Sequence, residues 1–269
     1  MPIGIIAGAG SLPLIILEEI KKKGYKVVTV SLEDIVSEDL SRCSDAFIYI
    51  NIGKFGEILK FLKKNKVKEI VLTGKVPKRV IYEKEKIKPD ARAVKMLFSA
   101  KLRGDNELLK VVEKELLGEG IRIIGVSEIC PELLTPEGIL TKSKLSKEEW
   151  EDVKYGFSIA KEVGKLDIGQ TVIVKDKATV AVEAIEGTDE TIIRAGNYVE
   201  DTVIVKVSKP QQDLRLDPPV AGINTIMSMQ KAKAKILALE AEKTLLLQRN
   251  EVIQRADEFG IAVVGVRFS

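Results

Sequence analysis

The 269-residue sequence contains no histidine. This absence removes Ser-His-Asp and Cys-His nucleophile arrangements, imidazole metal ligands and imidazole acid–base catalysis together. Any catalysis must therefore rely on carboxylates, lysine, arginine, hydroxyl groups, backbone dipoles and a hard metal ion.

Other features are scarce, and each scarcity excludes a class of protein. The two cysteines, Cys43 and Cys130, lack the spacing of a zinc site, so we interpret them as buried thiols in a reducing compartment. Aromatic residues make up only 5% of the chain and the net charge is +3, which argues against a nucleic-acid partner. No apolar run approaches the ~18 residues of a membrane span, and no signal peptide is evident. These features together predict a cytoplasmic protein.

The composition is that of a folded globular protein. Hydrophobic residues make up 45% of the chain and charged residues 31%. Strand-like and helix-like segments alternate, which predicts the α/β class. Pro131, Pro136 and Gly138 mark a break in this alternation, so we predict two domains, 1–132 and 133–269.

The N-terminus predicts a strand–helix–strand unit with a glycine turn. An apolar strand, 3–7, runs into Gly8, Gly10 and Ser11, and Pro13 fits the first turn of the helix that follows. Backbone N–H groups and the dipole at a helix N-terminus favour an anion. Gly8, Gly10 and Ser11 are therefore candidate substrate ligands, and a tight turn without a ligand is the alternative.

A second candidate anion site follows the strand at 69–73. Gly74 and Lys75 come at its carboxyl end, which is the side where open parallel sheets bind ligands. We expect Lys75 to meet a phosphate there, and a solvated lysine in a glycine turn is the alternative. Basic stretches at 60–68 and 78–88, and other basic residues between 75 and 103, are candidate contacts for an anionic surface, although most such runs are simply solvated.

The most informative stretch is 169–226. Strand-like runs at 171–174 and 179–184 lead into a polar turn at 186–189, and a third run at 202–207 leads into the segment 209–217. Strands that end in loops dense with charged residues suggest a rigid scaffold that holds a charged site.

Within that segment Asp213, Arg215 and Asp217 alternate with leucines. An extended chain would place the three charges on one face, and Pro218 argues against a helix. Two carboxylates on either side of a guanidinium suit a divalent cation and a phosphate ester bound side by side. A surface network of ion pairs is the alternative. After this stretch we predict a helix from Ile226 to about Ala241.

Several segments, in order, resemble one known family. They are IIAGAGSLP at the start, GK at 74–75, GDNELL at 104–109, GQTVIV at 169–174, VEAIEGTDETIIRAG at 182–196 and KPQQDLRLDPPVAG at 209–222. Together they resemble the LpxI family, the UDP-2,3-diacylglucosamine pyrophosphatases of Gram-negative lipid A synthesis. The chain departs from the family pattern at Gln211, where glycine is usual, and at Pro218, where leucine is expected.

The resemblance implies an N-terminal Rossmann-like domain and a C-terminal α/β domain of the LpxI type. It also implies hydrolysis dependent on Mg²⁺ or another hard divalent cation. Water would attack the α-phosphorus of UDP-2,3-diacylglucosamine, giving UMP and 2,3-diacylglucosamine 1-phosphate (lipid X). A homodimer and peripheral contact with the inner membrane are further expectations.

Given this reaction class, we assign roles to the charged residues. Asp213 and Asp217 would hold or orient the metal ion and its water, with one of them as general base, and Asp189 would complete the metal site. Residues assigned to the phosphates and the rest of the substrate are Arg215, Lys209, Arg194, Gly187, Thr188 and Gln212. Structural ion pairing is the alternative for Lys209 and Arg194, and Glu183 and Glu186 are secondary candidates.

Two other classes of function stay open. A nucleotide-dependent oxidoreductase is supported by Gly8, Gly10 and the acidic pair Glu33-Asp34, although the third glycine of the dinucleotide fingerprint is missing. A non-catalytic binding module for a nucleotide sugar or an acidic lipid would leave the aspartates with structural roles only.

Overall fold

The structure is a computed structural model that describes residues 1–33, 35, 39–76, 87–99 and 105–268, with side chains described at all of these except 97–99 and 105–108. The acidic residue Asp34 and most of the basic stretch at 78–88 lie outside the described residues. The chain divides into two units, Met1–Cys130 and Pro131–Ser269.

The N-terminal unit is built on a five-stranded sheet with the order β3-β2-β1-β4-β5. Its elements are β1 (Ile3–Ala7), α1 (Leu12–Lys22), β2 (Val27–Leu32), β3 (Ala46–Ile50), α2 (Phe55–Lys64), β4 (Glu69–Thr73), α3 (Ala91–Ser99), α4 (Asp105–Gly118), β5 (Arg122–Ile123) and α5 (Val126–Ile129). All four strand pairings are parallel. This arrangement confirms the predicted Rossmann-like parallel sheet, with its switch point between β1 and β4.

Apolar periodicity explains the elements of this unit. Every residue of β2 is buried, as expected for a parallel strand covered on both faces. The buried residues of α2, Phe55, Ile58, Leu59 and Leu62, follow the i, i+3, i+4, i+7 spacing of one helix face. Cys130 is buried as predicted, whereas Cys43 is only half-buried, and neither forms a disulfide.

The C-terminal unit is built on a six-stranded mixed sheet with the order β6-β13-β11-β9-β7-β8. Its elements are β6 (Gly138–Ile139), α6 (Lys147–Lys165), β7 (Thr171–Lys175), β8 (Ala178–Val182), α7 (Thr188–Gly196), β9 (Val203–Lys206), β10 (Val220–Ala221), α8 (Ile223–Lys231), β11 (Ile236–Glu240), β12 (Leu245–Leu246), α9 (Arg249–Glu258) and β13 (Ala262–Val266). Strands β9, β11 and β13 run parallel, and β7 runs antiparallel to β9. The predicted α/β class is confirmed.

Helices cover both faces of this sheet. Alternation along the strands sends Ile204 and Leu237 to the face packed by α7, α8 and α9. It sends Val205 and Ala238 to the other face, which is packed by α6. The unit therefore has three layers with the sheet in the middle. Among the residues that the structure describes, no helix is long and apolar enough to cross a membrane.

The predicted helix from Ile226 to about Ala241 is wrong in its second half. Helix α8 ends at Lys231, Lys233 has a left-handed φ of 53°, and β11 then occupies the centre of the sheet. Alanine, leucine and lysine are good helix formers, so local propensity favours helix here. Burial of Ile236–Glu240 between two neighbouring strands overrides that propensity.

The polar turn predicted at 186–189 is the start of α7, a helix that the sequence pattern did not indicate. Gly187 is its N-cap residue, with a φ of 83° that favours glycine. Strand β8 ends at Val182 rather than at Ala184. As a result, the segment after β8 leads into a helix N-terminus.

The central position of β11 leads to a stability prediction. Leu237 is fully buried, so Leu237→Ala should lower the free energy of unfolding by about 3 kcal/mol, the usual cost of a large-to-small core change. Leu166→Ala is the matched control, because Leu166 is 72% exposed and its truncation should have little effect. Urea unfolding of both variants checks this, and equal stabilities would contradict the placement of β11 in the core.

Candidate functional site

The candidate site lies at one edge of the C-terminal sheet. Strands β9, β11 and β13 all end at this edge, and β7 begins there because Thr171 pairs with Lys206 in antiparallel register. We call it the carboxyl edge. Parallel α/β sheets bind ligands outside the carboxyl ends of their strands, and the segment Lys209–Asp217 leaves β9 from here.

The segment that carries the predicted acidic site is a turn, which corrects the predicted extended conformation. The backbone N–H groups of Leu216 and Asp217 donate to the carbonyl oxygen of Asp213 at 3.0 and 3.1 Å. The Asp213 carboxylate also accepts from the backbone N–H of Arg215 at 3.0 Å. An aspartate side chain that bonds the backbone two residues on stabilises a turn at the expense of an extended strand.

The turn still brings Arg215 to Asp213. Arg215 Nη2 lies 2.6 Å from Asp213 Oδ2 and Arg215 Nε lies 3.1 Å from Asp213 Oδ1. The hydrogen bonds from Arg215 outweigh partial burial and hold the pKa of Asp213 below its ordinary range. Asp213 is therefore an ionised carboxylate in a two-pronged ion pair, at an exposed position where such a pair adds little stability.

Gln212 ties the two ends of this segment together. Its Oε1 accepts from the backbone N–H of Lys209 at 3.0 Å, and its Nε2 donates to the carbonyl oxygen of Asp217 at 2.6 Å. The same nitrogen lies 3.3 Å from Asp217 Oδ2. Gln212, predicted as a substrate contact, thus has a structural role in shaping the turn.

Two other predicted phosphate contacts are engaged in ion pairs. Lys209 Nζ lies 2.5 Å from Asp167 Oδ1, and Arg194 Nη2 lies 2.6 Å from Glu186 Oε1. Arg194 also donates to the carbonyl oxygen of Val182 at 3.0 Å. These contacts match the structural alternative for both residues, and their role toward a substrate stays a prediction.

Thr188 belongs to a buried polar cluster at the carboxyl edge. Its hydroxyl donates to Glu183 Oε1 at 2.8 Å and accepts from Lys206 Nζ at 2.7 Å. Lys206 Nζ also lies 3.3 Å from the hydroxyl of Thr171, and Glu183 Oε2 accepts from the backbone N–H of Gln170 at 3.2 Å. Lys206 is only 3% exposed, so this cluster holds charge inside the protein.

Burial opposes ionisation of the Glu183 carboxyl, but the charge of Lys206 and the hydrogen bonds that the carboxyl accepts outweigh it. The pKa of Glu183 is therefore lowered from its ordinary value. The cluster thus contains a carboxylate that is ionised at neutral pH.

A second buried cluster lies at the same edge, on the face of the sheet covered by α6, at the end of β11. Glu240 Oε2 accepts from Lys161 Nζ at 2.6 Å and from the backbone N–H of Ser208 at 2.8 Å, and Glu240 Oε1 lies 2.8 Å from Lys243 Nζ. Burial opposes ionisation of Glu240, yet these contacts hold its pKa below its ordinary value. Burial also lowers the pKa of Lys161, although Glu240 acts against that shift.

Sequence reasoning missed Lys161, Lys206 and Glu240, and it ranked Glu183 as a secondary candidate. A signal was present for two of them. Lys206 and Glu240 each end an apolar strand, VIVK and ILALE, and a charged residue in a buried strand needs a partner. Lys161 lies on a helix face that the sequence does not orient, so it carried no such signal.

The proposed three-carboxylate metal site is not assembled in the described structure. Within the described ranges, no group of three or more His, Cys, Asp and Glu side chains is close enough to share a metal ion. Asp189 is not grouped with Asp213 and Asp217 among these residues, and its role toward a metal ion stays a prediction. Its Oδ1 is buried and has no hydrogen-bond partner in the described part of the chain.

The donor chemistry nonetheless fits a hard cation. Asp213 and Asp217 lie four residues apart in one turn and supply the hard carboxylate oxygens that Mg²⁺ prefers. Mg²⁺ usually takes one or two carboxylates and fills its remaining positions with water and substrate phosphate oxygens. A third protein carboxylate is not required.

The glycines of the N-terminal unit hold two loops together at the switch point. Gly8 N–H donates to the Thr73 carbonyl oxygen at 2.8 Å, and Ala9 and Lys75 exchange backbone hydrogen bonds of 2.7 and 2.9 Å. A Cβ on Gly8 would lie 2.6 Å from the Lys75 carbonyl oxygen, and one on Gly74 would lie 2.7 Å from Gly8. Close packing therefore accounts for Gly8 and Gly74 without a ligand.

Gly10 and Ser11 are placed differently. Gly10 has a φ of 96° and open space where a Cβ would be. Ser11 is the N-cap residue of α1, and its side chain makes no capping hydrogen bond. These two residues keep their predicted role at a helix N-terminus that favours anions.

The buried Glu183 leads to a pH-dependent stability prediction. Glu183→Gln should lower the free energy of unfolding at pH 7 by about 3 kcal/mol, because Lys206 loses its buried counter-charge. Since the folded pKa of Glu183 is lowered, its stabilisation is complete above the ordinary pKa of roughly 4.3 and is lost as pH falls through the folded pKa.

The measurement is urea unfolding of wild type and variant from pH 7 to pH 3. The difference between the two proteins should shrink as the pH falls below about 4. Glu200→Gln is the control, because Glu200 pairs with Lys233 on the surface. A difference that stays constant with pH would contradict the buried ionised carboxylate.

Comparison with known proteins accounts for both units. A family model described as the LpxI N-terminal domain matches residues 2–133, and one described as the LpxI C-terminal domain matches residues 136–264. The UDP-2,3-diacylglucosamine pyrophosphatase LpxI of Caulobacter vibrioides is 33% identical over 276 residues, which cover 98% of this chain and 97% of the relative. The chain belongs to the LpxI family.

Proposed function

We propose that this protein hydrolyses the pyrophosphate bond of UDP-2,3-diacylglucosamine to UMP and 2,3-diacylglucosamine 1-phosphate (lipid X). The observation that carries the proposal is the Asp213–Arg215 pair, held with Asp217 in one turn at the carboxyl edge. Supporting it, the chain matches a relative with this activity in its name over 98% of its length. This hydrolysis would contribute to lipid A synthesis.

The reaction needs charge neutralisation and an activated water molecule. Water attacks the α-phosphorus, the bond from that phosphorus to the bridging oxygen breaks, and the β-phosphate leaves with the sugar. Mg²⁺ or another hard divalent cation, when bound, would neutralise phosphate charge and lower the pKa of its water. Asp213 and Asp217 would hold this ion, since no histidine exists to do so.

The two aspartates differ in their surroundings, which suggests different roles. Arg215 holds Asp213 ionised with a lowered pKa, so Asp213 is a weak base and is better suited to binding positive charge. Asp217 is tied to the Gln212 amide instead. We propose that Asp217 accepts the proton of the attacking water and that Arg215 neutralises the charge of a phosphate oxygen.

The remaining substrate contacts stay proposals. Gly10 and Ser11 at the start of α1, and Gly8, Gly74 and Lys75 beside them, lie at the switch point where doubly wound sheets bind nucleotides. Lys209, Arg194, Thr188 and Gly187 lie around the carboxyl edge, and the hydroxyl of Thr188 is already held between Glu183 and Lys206.

A diacylated substrate supports the expected peripheral contact with the inner membrane. Three apolar side chains are exposed on loops that meet the carboxyl edge: Leu166 at 72%, Ile168 at 50% and Ile185 at 94%. Exposed apolar side chains on neighbouring loops suit contact with a lipid surface. A cytoplasmic location and a homodimer complete the proposal.

The direct test is release of UMP from UDP-2,3-diacylglucosamine by purified protein, with Mg²⁺ and with EDTA. Asp213→Ala and Asp217→Ala should each lower kcat by at least about a hundredfold while the circular dichroism spectrum stays unchanged. Glu258→Gln, a change in an exposed pair on α9, should leave turnover unchanged. Turnover that survives EDTA, or folded aspartate variants with full activity, would contradict the proposed chemistry.

The Asp213–Arg215 pair predicts a shift in the pH dependence of the reaction. Arg215→Met removes the hydrogen bonds that lower the pKa of Asp213, so Asp213 should become protonated at a higher pH than in wild type. The acid limb of the kcat/KM profile should therefore move to higher pH, whatever the residual activity. An acid limb at the same pH in both proteins would show that Asp213 is not the group that titrates.

A further inference from the structure

The start of the Lys209–Asp217 segment is held by a buried clamp. Ser208 is the last residue before that segment, and both its backbone N–H and its hydroxyl donate to Glu240 Oε2, at 2.8 and 3.0 Å. Its carbonyl oxygen accepts from Lys161 Nζ at 2.8 Å. Every polar group of Ser208 is thus engaged by one of two charged side chains.

The clamp joins three elements that are distant in sequence. Lys161 lies in the last turns of α6, Glu240 ends β11, and Ser208 follows β9, with Lys161 Nζ and Glu240 Oε2 only 2.6 Å apart. Glu240 is 3% exposed, so water does not compete for its oxygens. The segment leaves the sheet from a point whose backbone position is set by ionic hydrogen bonds.

We propose that Lys161 and Glu240 are positioning residues for the hydrolysis, acting through Ser208 on the turn that carries Asp213, Arg215 and Asp217. The inference rests on the function proposed above. Neither residue touches the reacting atoms. Because misplacing a catalytic group by about 1 Å can cost on the order of 100-fold in rate, the anchor of its segment matters as much as the group itself.

Stability alone is a poor explanation for this clamp. A buried ion pair often adds nothing to stability compared with apolar residues of similar size. Three hydrogen bonds of the clamp instead involve one residue, Ser208, which directly precedes the segment that carries the candidate site. These hydrogen bonds fix the backbone position of Ser208.

The same helix offers a matched control at its other end. Asp152 on α6 is also buried, and its carboxylate accepts from the backbone N–H groups of Asp176 and Lys177 at 2.9 and 2.6 Å. It therefore holds the turn between β7 and β8, which lies at the sheet edge opposite the carboxyl edge. Breaking this anchor disturbs a backbone turn at the end of the sheet away from the candidate site.

The test compares the double variant Lys161→Met with Glu240→Gln against Asp152→Asn. The double variant removes both charges together, so that no buried charge is left unpaired and folding is preserved. Its kcat for UMP release should fall about tenfold or more, with KM within about twofold, because the segment is loosened while substrate contacts remain. Asp152→Asn should lower the melting temperature without lowering kcat per folded molecule.

A conservative variant tests whether kcat depends on the cation at position 161. Lys161→Arg keeps a cation that reaches Ser208 and Glu240, so its kcat should return to within about threefold of wild type. If Asp152→Asn lowered kcat as much as the double variant does, at the same loss of stability, the proposal would be overturned. A Lys161→Arg variant as slow as the double variant would also overturn it.

Hydrogen exchange provides a readout that does not depend on the proposed reaction. The backbone N–H groups of Gln212, Leu216 and Asp217 are hydrogen-bonded within the segment. Their exchange should speed up by about tenfold or more in the double variant and stay unchanged in Asp152→Asn. Unchanged exchange at these three amides in the double variant would overturn the proposal, even if the wild type proved inactive on UDP-2,3-diacylglucosamine.

Discussion

The C-terminal unit depends on the neutralisation of two carboxylates, Glu183 and Glu240, that are buried where its parallel strands end. Neither could stay ionised in such surroundings without a lysine within hydrogen-bond reach of its cluster. Lys206 satisfies the first through Thr188, and Lys161 satisfies the second directly. These partners come from α6, β7, β9 and α7. Because each buried carboxylate needs them, the positions of these helices and strands at the carboxyl edge depend on one another.

The proposed site lies outside these two buried clusters, on the exposed segment that follows Ser208. The buried lysines have structural partners, whereas Asp213, Arg215 and Asp217 lie in a turn of the exposed segment that follows Ser208. A pyrophosphate hydrolase without histidine has to neutralise phosphate charge with cations and activate water with carboxylates. In the proposed function, the buried clusters would position the charged segment while Asp213, Arg215 and Asp217 act on the substrate.

In the N-terminal unit, glycines allow two loops to approach closely at the switch point. Its switch point brings the loops after β1 and β4 so close that any Cβ at Gly8 or Gly74 would collide with backbone. The fold therefore explains part of a motif that the sequence pattern assigned to anion binding. Anion binding at Gly10 and Ser11 stays a prediction, because close packing does not explain Gly10, which has open space where a Cβ would be, and Ser11 begins a helix.

The sequence by itself determined the α/β class, the Rossmann-like sheet, the family and the chemistry available without histidine. Periodicity and turn residues carry the α/β class locally, whereas the Rossmann-like domain was implied by the resemblance of several motifs to a known family. Tertiary structure decided the rest. It made a strand of Ile236–Glu240, because burial outweighed helix propensity, and it curled Asp213–Asp217 into a turn, because Asp213 bonds backbone that the pattern expected to be extended. It alone brought Lys161 to Glu240 and Lys206 to Thr188, since contacts between residues 79 and 18 positions apart depend on how helices pack on the sheet.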